Sequence, residues 1–97
     1  MKKRTASQFT HGKSEIHERP ALLEKIKLAR TALGLRLRAL RKVRGWNRER
    51  ASEEIGIHPT TLAEIEAGSA NPSLNILVSA AETFSVSLGE LFENSET

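Results

Sequence analysis

The chain has no cysteine. That excludes a disulfide framework and any thiolate metal site. Its three histidines, His11, His17 and His58, have no ligand-like spacing, so no metal centre is expected. No apolar run approaches the roughly 18 residues of a membrane helix. The basic start, Met1-Lys2-Lys3-Arg4, leads into polar residues rather than the apolar core of a signal peptide. A soluble, cytoplasmic protein is expected. There is no nucleophile–base pair and no phosphate loop, so the sequence points away from an enzyme and calls for no cofactor. Internal repeats are lacking, and no alternating stretch is long enough for a strand.

Basic residues are missing from the whole second half. All fifteen Lys and Arg lie in residues 1–50, against four acids there (Glu15, Glu18, Glu24, Glu49), a formal +11. Residues 51–97 hold eight glutamates and no Lys or Arg, a formal −8. The total of +3 hides this split. Such asymmetry suggests a basic surface for nucleic acid. With 38% hydrophobic residues in 97, there is material for one modest core and not two.

What is present reads as helices. Residues 1–19 are polar and without sustained period, which predicts a disordered, flexible basic tail. Two readings are open for it. Either Lys2, Lys3 and Arg4 mark an arm along phosphates or in a minor groove, or the segment is an ordinary solvated terminus. Pro20 can open a helix. Apolar residues then recur at Leu22, Leu23, Ile26, Ala29, Leu33, Leu37, Leu40 and Val43, one face of a long helix to about Arg44. Gly34 interrupts it at about 1 kcal/mol relative to Ala, which allows a kink or break. Leu28 and Leu35 fall off this stripe and could form a dimerising face over residues 20–35.

The stretch Gly45–Gly68 organises the rest. Asn47 can cap a helix carrying Ala51 and Ile55. Gly56 sits where that helix must stop, because glycine adopts left-handed angles at little cost. His58-Pro59 then opens a second short helix, with Leu62 and Ile65 facing inward. Helix, glycine turn, helix at this length is the sequence form of a helix-turn-helix, whose second helix can enter the DNA major groove. Beyond a loop at residues 69–73, Ser73 caps a helix with Leu74, Leu77, Val78, Ala81 and Phe84 expected inside. Ser87 and Glu90 then make a capping box before a last short helix with Leu88, Leu91 and Phe92. The expected organisation is a tail at 1–19, one domain at 20–93 and a frayed end at 94–97.

The ordered run IGI, LAEIEAG, NPSL and SVSLGELF resembles the phage-repressor and Cro-like (XRE-type) helix-turn-helix domains over Leu33–Phe92. The resemblance implies an all-α, compact five-helix bundle of the lambda-repressor-like type, here with an extended first helix. It also implies double-stranded DNA as partner, bound by a homodimer on a palindromic operator. By position, Asn47, Arg48 and Arg50 would meet phosphates, and His58, Pro59, Thr60, Thr61 and Glu64 would face bases. Arg41 and Glu66 match an ion pair that, in such domains, joins the first helix to the recognition helix. Departures are informative. Pro59 cannot hydrogen-bond a base edge, and Ser69 and Ala70 lack the usual cation. Glu64 could accept from cytosine N4. Direct readout is therefore thin, which leaves weight to DNA shape. A second reading of another class is an antitoxin-like or adaptor module on the same fold, with a protein partner.

Overall fold

The computed structural model describes residues 15–93. Lys2, Lys3 and Arg4, the rest of residues 1–14, and residues 94–97 lie outside the described residues. Four α-helices follow in order: α1 (Pro20–Val43), α2 (Arg48–Ile55), α3 (Pro59–Glu66) and α4 (Leu74–Phe84). Two 3-10 turns flank them, Ile16–Glu18 and Gly89–Phe92. Among the described residues there is no strand. The expected fifth helix is the second of these 3-10 turns. Its entry is fixed by Ser87 and Glu90: Ser87 N–H donates to Glu90 Oε1 at 2.7 Å, and Glu90 N–H donates to Ser87 Oγ at 3.1 Å.

Local chemistry sets each boundary. Pro20 occupies the first turn of α1, where a missing N–H leaves nothing unsatisfied. Asn47 Oδ1 accepts from Arg50 N–H at 2.8 Å and starts α2. Gly56, at φ 92°, ends it in a left-handed conformation that a side chain would strain. Ser73 Oγ accepts from Ile76 N–H at 3.2 Å and starts α4. The last carbonyl of α2 finds a partner on α4: Ser79 Oγ donates to Ile55 O at 2.6 Å, while the Thr83 hydroxyl, 3.3 Å from Glu54 O, lies closer to Ser79 O within α4, at 2.8 Å. The Ser79–Ile55 bond helps seat the helix-turn-helix on α4, because an unpaired buried carbonyl would be costly.

The core draws on every α-helix: Leu33 and Leu37, Ala51 and Ile55, Leu62 and Ile65, then Ala80, Ala81 and Phe84, with Leu91 beneath the final turn. Each large apolar side chain buried there contributes about 1.5–3 kcal/mol. The apolar stripe of α1 joins this core over less of its length than its period implied. Leu33 and Leu37 are buried and Leu40 packs alongside, but Leu23 and Ala29 are exposed and Val43 is 84% exposed. For Leu23 and Ala29 the reason is length: 24 residues span about 36 Å, and the N-terminal half of α1 outruns the helices that could cover it. Leu74 and Val78 also depart from expectation. They share an outer flank of α4 and are exposed, while Ala80, Ala81 and Phe84 turn inward.

Gly34 does not break α1, which runs unbroken through it. It lies where the end of α3 crosses. A Cβ there would sit 2.5 Å from Ile65 O and 2.7 Å from Glu66 O. Only a residue without a side chain permits that approach.

Candidate nucleic-acid interface

Residues 56–58 are all that separates α2 from α3. The turn is held by Ser52 O, which accepts from Gly56 N–H at 2.8 Å and Ile57 N–H at 2.9 Å. His58 caps α3: its Nδ1 accepts from Thr60 N–H at 3.2 Å. That bond requires Nδ1 unprotonated, so the ring's remaining donor, when neutral, is Nε2–H. Pro59 follows in the first turn and fixes the helix start.

Beneath α3 lies a buried ionic centre. Glu66 has 3% of its side chain exposed and Arg41 has 9%. Arg41 Nε donates to Glu66 Oε2 at 2.7 Å, and Arg41 Nη2 donates to Oε1 at 2.9 Å. This bidentate geometry is the strong form of an Arg–carboxylate pair. Arg41 Nη1 also donates to Trp46 O at 3.0 Å, tying the α1–α2 connection to the same centre. The hydrogen bond to Glu66 raises the Arg41 pKa above its ordinary value, against the opposing cost of burial, so Arg41 stays charged at every working pH. Arg48 joins from α2: its Nε donates to Glu66 Oε1 at 3.1 Å. Two guanidinium groups therefore share one carboxylate, and the cluster keeps one positive charge in excess. Arg48, 47% exposed, carries that charge to the surface.

The expected site residues fall into three groups. Asn47, Arg48, Pro59 and Thr60 come together with Arg41, Glu49 and Ala63 around an open hollow of about 390 Å³. Because Asn47 Oδ1 is occupied by its cap, its Nδ2 remains the donor toward the hollow. His58 shares a second hollow with Pro59, Ile57, Glu49 and Glu53. Thr60 and Glu64 are exposed, and Thr61 is half-buried. Glu64's carboxylate has no ion-pair partner among the described residues.

Arg50 is elsewhere. Its Nε donates to Glu54 at 2.9 Å, and its guanidinium lies 4.9 Å from the centre of the Trp46 ring. Arg44 covers the same ring at 5.1 Å and the Phe84 ring at 5.5 Å. Trp46 is thus half-buried, packed on the core at Phe84 and lying between two arginines. Ser52 is buried and donates its Oγ to Glu49 O at 3.0 Å. The Arg48–Glu66 bond and the contact at Gly34 were not anticipated from the sequence. Arg50–Glu54 carried a local signal, opposite charges four residues apart on a helix.

Comparison with known proteins agrees with this geometry. A helix-turn-helix family profile matches residues 37–91. An uncharacterized HTH-type transcriptional regulator of Bacillus subtilis, YazB, is 40% identical over 58 residues, covering 60% of this chain and 84% of the relative. The crystal structure of the restriction-modification controller protein C.AhdI from Aeromonas hydrophila superimposes with TM-score 0.62 at 28% identity, over 65% of this chain and 96% of that one. A hypothetical transcription factor from Neisseria, NHTF, has the same fold at 22% identity and TM-score 0.65, over 69% of this chain and 77% of its own. The chain belongs to the helix-turn-helix family, in its XRE-type, Cro-like branch.

Proposed function

We propose that this protein is a sequence-specific transcription regulator that binds duplex DNA as a homodimer, with α3 in the major groove. One observation carries the reading. Phosphate-type donors, Asn47 and Arg48, share a single hollow with the exposed start of α3 at Pro59 and Thr60. A backbone anchor and a base reader are thereby adjacent, the arrangement that groove entry needs. Thr60 and Glu64 are the exposed polar side chains available for base edges, joined by Nε2 of His58. Thr61, half-buried, offers a methyl or hydroxyl at the margin. The relative named above is described as a transcriptional regulator and the chain's structural neighbour as a restriction-modification controller protein, which supports the same reading.

The outer flank of α1 supports a second copy. Leu28 is 62% exposed and Leu35 is 58% exposed, and with Ala32 and Phe92 they line a hollow of about 290 Å³. Two copies related by a two-fold axis would present two copies of α3 to a palindrome. An adaptor role, with a protein as main partner, rests on a different feature. Leu74 and Val78 are exposed beside Trp46 along an open groove of about 790 Å³.

Selection of bound duplexes from a random pool tests the regulator reading. It predicts enrichment of a palindrome with half-sites about 10 base pairs apart, or a multiple of that. Recovery of unenriched sequence would contradict it.

A further inference from the structure

The described cations divide by what they touch. Arg36 donates to Glu90 O, Arg41 and Arg48 bind Glu66, Arg44 stacks on Trp46, and Arg50 pairs with Glu54. Arg19, Lys25, Lys27, Arg30, Arg38 and Lys42 have no ion-pair partner among the described residues, and of these Lys27, Arg30 and Arg38 fall on the Gly34 side of α1. These three share one stripe of α1. From Gly34, helical spacing leads back to Arg30 and Lys27 and forward to Arg38 and Arg41.

Contacts fix the direction of that stripe. The final carbonyls of α3 lie over Gly34, Gly68 lies against Thr31, and Arg41 holds Glu66. The recognition helix and its exit turn therefore lie across the basic stripe, which emerges on both sides of them. Arg38 emerges on the C-terminal side, and Arg41 beyond it is buried against Glu66, where Arg48 joins it. Lys27 and Arg30 emerge on the other side, with Lys27 about 10 Å from the crossing. Arg30 is not a trailing surface side chain. Its Nε is buried without a hydrogen-bond partner, so its stem is pressed into the fold while its charge is unneutralised. The neighbouring exit turn contributes no cation of its own, only Ser69 and Ala70.

We propose that Lys27 and Arg30 form a second phosphate-binding site, on the projecting half of α1, which grips the DNA backbone beside the exit turn of α3. The ligand is a backbone phosphate, read for charge and not for sequence. The proposal rests on the DNA-binding reading and extends the contact surface beyond the helix-turn-helix itself.

The test is the salt dependence of binding to a selected duplex by the full chain, its Lys27→Ala/Arg30→Ala variant, and a Lys25→Ala control. Lys25 lies about two and a half turns from Gly34, on the opposite face of α1. Loss of two phosphate contacts predicts that the slope of log K against log salt falls by about two units in the double variant. The ratio of specific to random DNA affinity should stay unchanged, with binding measured below the variant's own thermal midpoint. Lys25→Ala should leave the slope unchanged. An unchanged slope in the double variant overturns the proposal, with DNA binding itself intact. An equal loss per charge in Lys25→Ala also overturns it, because that marks diffuse attraction instead of a site. If the unmodified chain binds no duplex at low salt, the regulator reading falls and the site falls with it.

Discussion

Arg48 donates from Nε to Glu66 Oε1 at 3.1 Å, onto the same oxygen that accepts from Arg41 Nη2 at 2.9 Å. The carboxylate is already neutralised by the buried arginine. It therefore orients the second arginine without cancelling it. Arg48 is held beside α3 with its remaining nitrogens free for a phosphate. Removing each side chain should have a different signature. Arg48→Ala should cost less than about 1 kcal/mol of stability, since the pair is half exposed. It should weaken binding to all sequences and lower the salt slope by about one unit. Glu66→Gln leaves Arg41 buried with a neutral acceptor and should cost about 3–5 kcal/mol. Equal stability losses for the two variants, read from urea midpoints, would contradict this division of labour.

Gly34→Ala should destabilise the protein by about 1–3 kcal/mol. At an exposed helix position the same change would stabilise by about 1 kcal/mol. The sign differs because the added Cβ would meet backbone atoms, Ile65 O and Glu66 O, which cannot swing aside. A raised urea midpoint would show that α3 does not lie against α1 at this point.

These two sites also show what was legible in the sequence. The caps at Asn47, Gly56, Ser73 and Ser87–Glu90 were readable because each acts over a few neighbouring residues. The limits of the helices followed from them. Gly34 was ambiguous because its role depends on a helix more than thirty residues away. The bond between Arg48 and Glu66 was hidden for a related reason, because its partners sit on two different helices eighteen residues apart. Leu74, Val78 and Val43 matched an inward periodicity, yet they are exposed. Periodicity reports which residues share a face, and only packing decides whether that face is covered.

Thr60→Ala should alter preference among DNA sites while leaving the salt slope unchanged. Thr60 is exposed at the start of α3, and its backbone N–H is already satisfied by His58. Truncation therefore removes a reader and not the cap. Binding to a panel of single-base variants measures the effect. A uniform loss across the panel would assign Thr60 to the backbone.

Acid should loosen the C-terminal turn through Glu90. Hydrogen bonds from Ser87, backbone first and then side chain, lower the Glu90 pKa below its ordinary 4.5. The charged form is favoured in the folded state. Its contribution is present above about that value and is lost as pH falls through the lowered one. Glu90→Gln should therefore flatten the acid limb of a stability–pH profile. An identical acid limb in the variant and the unmodified chain would remove Glu90 from the account.

Specific recognition of duplex DNA is most directly tested by salt dependence measured on two DNAs, random-sequence duplex and the region upstream of the protein's own reading frame. The account predicts steep salt dependence on both, with the upstream region preferred at least about a thousandfold. Steep dependence without preference would reduce the protein to a general DNA-binding surface. Absence of binding at low salt would contradict the account outright.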